Sequence, residues 1–283
     1  MSAVKDYWRL VRPRILGMVL LAMAVAALTA GEQGPPWPEL LHATVGTALV
    51  IAGAMALNQR LEVRGDARMP RTAGRPLPTG QLTDRQVTRF GLFLSAAGLV
   101  YLLVASHAGV VVLALVSWVL YVWVYTPLKP VTAWQTPVGA VAGAMPILIG
   151  AATARAPMSP MALSLFAIVC LWQFPHAMAI AWLYRHEFAT ADVRLATVVD
   201  PSGRSAGILA VLGATALVPV SLVPPAFSLT HWGYVTVAIL LGAAYLVCAL
   251  RFAHRPSDAT SRWLLRASLI YLPALLAAIW RSS

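Results

Sequence analysis

The amino-acid sequence predicts an all-α, polytopic membrane bundle, a single domain over residues 1–283 with about nine transmembrane helices. Three observations lead there. Charged residues make up only 11% of the chain and hydrophobic residues 59%, against about 25% charged in an ordinary soluble domain. Apolar runs recur at about the 20 residues that a helix needs to cross a bilayer. Basic residues fall almost wholly in alternate links between those runs, as they do when one set of loops stays in the cytoplasm. A lipid-embedded segment must satisfy its own backbone polar groups, so each run is read as a helix. The same composition excludes disordered chains and disulfide scaffolds. Cys170 and Cys248 sit in separate apolar stretches and read as small buried hydrophobes.

The nine runs lie at roughly 15–30, 40–57, 87–105, 108–126, 136–153, 160–182, 205–223, 232–250 and 263–280. Only Ser106-His107 separates the third from the fourth, which predicts a tight hairpin between them. The first follows Lys5, Arg9, Arg12 and Arg14, a pattern that also suits a secretory signal peptide ending near Leu28-Thr29-Ala30. With the N-terminus inside, 19 of the 21 basic residues face the cytoplasm, leaving Arg155 and Arg281 on the outer side with Glu32 and Glu39. The whole net charge of +11 then belongs to one face. The chain is thus expected in the cytoplasmic (inner) membrane with its C-terminus outside, and the charge needs no nucleic-acid partner to explain it.

Two cytoplasmic loops, about 58–86 and 183–204, are long and polar. In the first, Asn58, Glu62 and Asp66 recur every four residues, which stacks an amide and two carboxylates on one face of a helix leaving the second span. Side chains at that spacing are about 5–6 Å apart at Cβ. Hard oxygen ligands so placed suit Mg²⁺, which keeps waters and bridges to phosphate oxygens. Salt bridges to the surrounding arginines would explain the acids alone, but Asn58 neutralises nothing and acids at a membrane edge are costly. Downstream, Arg68, Arg71 and Arg75 offer guanidinium forks for phosphate. The pattern points to chemistry on a phosphate leaving group.

Tyr125 and Lys129 close the fourth span, either as an interfacial aromatic beside a snorkelling lysine or as part of the same site. The sixth span carries Trp172-Gln173-Phe174-Pro175-His176 and runs into Arg185, Glu187 and Asp192. His176 is either a satisfied core histidine or a functional group within a span.

The order Asn58, Glu62, Asp66, Met69, Arg71-Thr72, Arg75-Pro76-Leu77-Pro78 resembles the first signature of the UbiA-type membrane prenyltransferase superfamily, in its protohaem IX farnesyltransferase (haem O synthase) branch. Arg12-Pro13-Arg14, Tyr125-Thr126 with Lys129, Gly143-Ala144-Met145-Pro146 with Gly150, and Trp172-Gln173 with Pro175-His176 carry the likeness through nearly the whole chain. Because Arg12-Pro13-Arg14 belongs to that pattern, the first run is read as a retained span.

The resemblance implies a helical bundle around a central cavity open to the cytoplasm. In it, Mg²⁺ held by Asn58, Glu62 and Asp66, with Glu187 as a further ligand, grips farnesyl diphosphate. Arg71, Arg75, Tyr125 and Lys129 complete the clamp, with Arg68, Arg185 and Asp192 also at the substrate. It implies ionisation of the allylic carbon–oxygen bond, attack by a vinyl group of haem b, and addition of water to give haem O. His176 would orient haem or handle a proton. A haem A synthase or terminal-oxidase assembly factors are the implied partners. The chain departs from the pattern at Arg64, where a further acid is usual, and at Glu187-Phe188 through Asp192-Val193-Arg194-Leu195-Ala196-Thr197, where Asp-Tyr and Gly-Ile-Pro-Met-Leu-Pro are usual. An aromatic quinone precursor is the alternative acceptor. A transporter with an anion site would place its polar groups nearer mid-membrane.

Overall fold

Nine apolar segments and two polar loops are what the computed structural model contains, over described residues 3–31, 34–224 and 232–282. Every regular element among them is helical. Eight helices are long and apolar enough to cross a membrane: α3 (Trp37–Leu61), α5 (Asp84–Ala105), α6 (Ala108–Leu128), α7 (Gln135–Thr153), α8 (Pro160–Leu183), α11 (Arg204–Ser221), α12 (Trp232–His254) and α13 (Asp258–Ser282). The ninth is a bent pair, α1 (Ala3–Val11) and α2 (Pro13–Thr29), which meet at 43°. Short helices α4 (Val63–Arg68), α9 (Arg185–Thr190) and α10 (Ala196–Val199) occupy the two polar loops.

Helix α1 replaces the N-terminal tail expected from sequence. It stops because Arg12 precedes Pro13, whose ring disfavours the right-handed helical conformation one residue earlier. Arg12 adopts φ 48°, and Pro13 opens α2 where its missing N–H costs nothing. The first apolar run is part of the bundle: Met23 and Ala26 are fully buried, and a Cβ on Gly150 would lie 2.1 Å from the Met23 carbonyl. Glu32, expected in the following outer loop, lies outside the described residues.

The predicted hairpin is present, with Ser106 and His107 extended between α5 and α6 and His107 Nε2 2.6 Å from the Ala152 carbonyl. Contact between α3 and α5 depends on small residues. A Cβ on Gly53 would sit 2.6 Å from the Gly91 carbonyl, and one on Gly98 2.8 Å from that of Gly46. Since lipid is as apolar as leucine, such close backbone packing is a main source of helix association. Ser95, in the same crossing, accepts from Trp118 Nε1 of α6 at 2.9 Å.

In the other half of the bundle α8, α11, α12 and α13 pack around Tyr234, Tyr245, Phe252 and Tyr271, all at most 2% exposed. Between the halves lies a cavity of about 550 Å³ walled by α2, α3, α6, α7, α8 and α13. Its wall is largely apolar, with Arg14 contributed by the start of α2 and His176 by α8.

Replacing Gly53 or Gly98 by Val should force α3 and α5 apart and cost about 1–3 kcal/mol. Lower unfolding midpoints in detergent are expected for both, with no loss for Gly17→Ala, where nothing lies within 4 Å. Asp200, before α11, accepts from Ser202 Oγ and from the backbone N–H and hydroxyl of Ser205, which hold its carboxyl down at about 2. A depressed folded value stabilises above the unfolded value of about 3.9 and loses that contribution as pH falls through about 2. Thermal midpoints of the wild type and Asp200→Asn should therefore differ at pH 6 and converge toward pH 2.

Candidate active site

The Asn58, Glu62 and Asp66 stripe survives a break in the helix. Helix α3 ends at Leu61 and α4 begins at Val63, with Glu62 between them at φ −93° and ψ 3°. The four-residue hydrogen bonds nevertheless continue, from Glu62 N–H to the Asn58 carbonyl at 3.0 Å and from Asp66 N–H to the Glu62 carbonyl at 2.8 Å. The three side chains therefore stay in register at the end of the bundle that carries the polar loops.

Each has a partner from elsewhere in the chain. Asn58, fully buried, donates through Nδ2 to Thr126 Oγ1 at 3.0 Å, and Thr126 in turn donates to the Tyr121 carbonyl at 2.7 Å. This fixes the amide and leaves its buried Oδ1 without a hydrogen-bond partner. Glu62 pairs with Lys129, and Asp66, 1% exposed, pairs with Arg75. Thr72 donates to the Asp66 carbonyl at 2.9 Å and ties the loop down. Lys129 also lies 4.4 Å from the ring centroid of Tyr125, which fills the space over Gly139. Tyr125 and Thr126 reach these positions through a π-helical turn over Leu120–Tyr125, a feature common at functional sites.

Burial acts on every charge here, and the outcomes differ. For Glu62 it is the largest single influence and raises the pKa, but Lys129, supported by Arg12 and Arg75, outweighs it and the carboxyl lies below its ordinary value. For Asp66 burial also leads, Glu62 adds to it, and the carboxyl is raised despite Arg75. Arg75 is pulled down first by burial and then by Arg12. Burial would lower Lys129, yet Glu62 and the two tyrosines hold it above its usual value. The cluster thus carries three cations, Arg12, Arg75 and Lys129, against two acids, a surplus suited to an anion.

The second polar loop approaches the first. Gly65 faces Ala191, Arg68 pairs with Asp192, and the Arg71 backbone N–H is 3.4 Å from Glu187 Oε2. Arg71 stacks over Tyr184 and Phe188 at 4.7 and 5.8 Å. The Arg194 N–H donates to the Lys129 carbonyl at 2.8 Å, which joins the α6–α7 link to the same assembly. Arg185 points elsewhere, to the Trp182 carbonyl at 2.7 Å and Asp258 at 3.1 Å, and is not brought to the cluster. His176 lies deeper, on the cavity wall, stacked on Trp172 at 4.6 Å with Nδ1 2.8 Å from Ser268 Oγ.

The residues missing from the sequence-based site are Arg12, Thr126 and Ser268. Arg12 has a buried, unpartnered Nη2 beside its strained backbone. Its only sequence signal was the Arg12-Pro13-Arg14 triplet, and Ser268 had none. Among the described residues no group of three His, Cys, Asp or Glu side chains could hold a metal by itself. The oxygen set of Glu62, Asp66 and the unpartnered Asn58 Oδ1 does fit a hard divalent cation that takes its remaining ligands from water and substrate.

Residues 19–271 match the UbiA prenyltransferase family. Similar proteins include the protoheme IX farnesyltransferase of Solibacter usitatus, 39% identical with 96% of each chain covered. That of Rhodopirellula baltica is 37% identical over 94% of this chain and 96% of the relative. A solved digeranylgeranylglyceryl phosphate synthase superposes with a TM-score of 0.80 at 16% identity, over 100% and 99% of the two chains. A UbiA homologue from Archaeoglobus fulgidus, bound to DMAPP and Mg²⁺, gives 0.71 at 15% identity over 98% of each. With a match over most of its length, the same helical architecture and an oxygen-lined cationic cluster above an apolar cavity, this chain belongs to the UbiA prenyltransferase family.

Proposed function

We propose that this multi-pass membrane protein transfers the farnesyl group of farnesyl diphosphate to a vinyl group of haem b, giving haem O and diphosphate. The observation that carries the reading is the buried cationic cluster at Asn58, Glu62 and Asp66, which starts one helical turn beyond Ala54 and Met55 and is bonded to Tyr121, three residues that line an apolar cavity. Diphosphate and isoprenoid chain need those two environments joined end to end. The protoheme IX farnesyltransferases similar along the whole chain indicate the acceptor.

Asn58, Glu62 and Asp66 would hold Mg²⁺, with Glu187 of the second loop as a further ligand. Bound there, the metal would supply Lewis-acid neutralisation of the diphosphate oxygens. Arg75 and Lys129 exchange part of their pairing with the acids for the diphosphate, and Arg71 reaches it from its stack on Tyr184. Arg68 and Asp192 bridge the loops at the rim. Preorganised charge of this kind stabilises the leaving group as the allylic C–O bond breaks with its electron pair. The vinyl π electrons then form the new C–C bond, and water adds at the vinyl carbon left electron-deficient and loses a proton. Trp118, Trp172 and the aliphatic cavity wall exclude other water until that bond has formed. The bias of basic residues toward these loops supports a mouth on the cytoplasmic side of an inner-membrane protein, from which haem O would pass to a haem A synthase or to oxidase assembly.

Purified protein given Mg²⁺, farnesyl diphosphate and haem b should yield, by mass spectrometry, a haem heavier by one hydroxyfarnesyl unit; prenylation of a phenolic acid with unchanged haem would replace haem by an aromatic acceptor. Glu62→Gln and Asp66→Asn should each lower turnover by at least ~10²-fold while the detergent-solubilised protein keeps its helical circular dichroism. Near-normal rates in both would remove the metal site. A chelator should stop the reaction, and added Mg²⁺ should restore it.

A further inference from the structure

Ser268 lies on α13, fully buried, and faces His176 of α8 across the wall of the central cavity. Its hydroxyl lies 2.6 Å from the Leu265 carbonyl and 2.8 Å from His176 Nδ1, with the Tyr245 side chain of α12 as a further polar neighbour. A carbonyl oxygen can only accept, so the shorter contact, at 2.6 Å, is assigned the serine proton. The serine oxygen must then accept from the imidazole, and Nδ1 carries the ring proton. Nε2 is left as a bare lone pair, and among the described residues no protein donor is recorded to it.

The ring is held in two further ways. Trp172 stacks on it with an interplanar angle of 22°, and the indole Nε1 donates to the Ser268 carbonyl at 2.8 Å. Ser268 therefore fixes both partners, one through its side chain and the other through its backbone. Tyr245 closes the arrangement from α12 by donating to the Trp172 carbonyl at 3.1 Å.

A lone pair fixed in this way could accept a proton or bind a metal. The groups behind Nδ1 are two buried hydroxyls, Ser268 and Tyr245, and the Leu265 and Trp172 carbonyls, with no acid or base among them to carry away a proton taken at Nε2. Metal ligation needs only what is present, an unprotonated nitrogen with the opposite N–H pinned by a polar neighbour. We propose that His176 Nε2 is the axial ligand to the iron of the porphyrin acceptor, and that Ser268 is the positioning residue that sets its tautomer and direction. The assignment rests on the haem acceptor proposed above. The rest of the cavity suits such a molecule: its wall is largely apolar for the macrocycle, and Arg14 has no ion pair among the described residues and could meet the carboxylates at the porphyrin edge.

The test uses the full-length protein in detergent without prenyl donor, titrated with iron protoporphyrin IX and with metal-free protoporphyrin IX. The wild type should bind the iron form more tightly and show the Soret shift and electron paramagnetic resonance of imidazole-ligated ferric haem. His176→Ala should lose that signature and weaken iron-porphyrin binding about 10–100-fold with little change for metal-free porphyrin, and added imidazole should restore the signature. Ser268→Ala should weaken iron-porphyrin binding about tenfold, with Ser268→Thr, which keeps the hydroxyl, nearer the wild type. An unchanged metal-free affinity shows that the variants are folded. A wild-type spectrum in His176→Ala, or no imidazole signature in the wild type, overturns the assignment. If haem is still farnesylated in that case, the ligand assignment falls and the proposed function stands; if only a phenolic acceptor is prenylated, both fall.

Discussion

Two carboxylates buried at the edge of a membrane need cations, and meeting that need organises this protein. Glu62 and Asp66 come from one helical stripe, but Lys129 arrives 67 residues later in the chain and Arg75 from the far side of a turn. An unpaired buried charge is far more costly than a paired one. The pairing therefore draws the α6–α7 link, the first polar loop and the end of α3 to one place. The same compensation leaves the cluster one positive charge in excess, with Arg12 unsatisfied.

The bundle serves this arrangement by keeping its two environments adjacent. Glycine contacts bring α3 against α5, so the stripe at the end of α3 is carried by a tightly supported helix. Next to it, six helices surround a largely apolar space whose wall includes His176 and Arg14. Charge and hydrocarbon are thus separated along the bundle axis, and a substrate with an anionic head and an apolar tail would be oriented by where each part is stable.

Much of the architecture was legible because the bilayer imposes a length on each apolar run. The spans and the Ser106-His107 hairpin follow from the length of the apolar runs, and the stripe of Asn58, Glu62 and Asp66 from local periodicity. What failed to show depends on tertiary contact. Arg185 stands among site residues in sequence, yet it turns to Asp258 and Trp182. Thr126 stands out in sequence only as the neighbour of Tyr125, and Ser268 not at all; what each does comes from what faces it. Helix α1 was hidden because its charged residues obscured a helix that lies outside the apolar run.

The π-helical turn at Leu120–Tyr125 is, in register terms, one residue more than an α-helix would use. Each residue turns a helix by 100°, since 3.6 residues make a full circle. Without that surplus residue Tyr125, Thr126 and Lys129 would face another direction, and Asn58 and Glu62 would lose their partners together. The spacing of this helix is therefore as much a part of the site as the side chains it presents, and its length cannot drift while the cluster is kept.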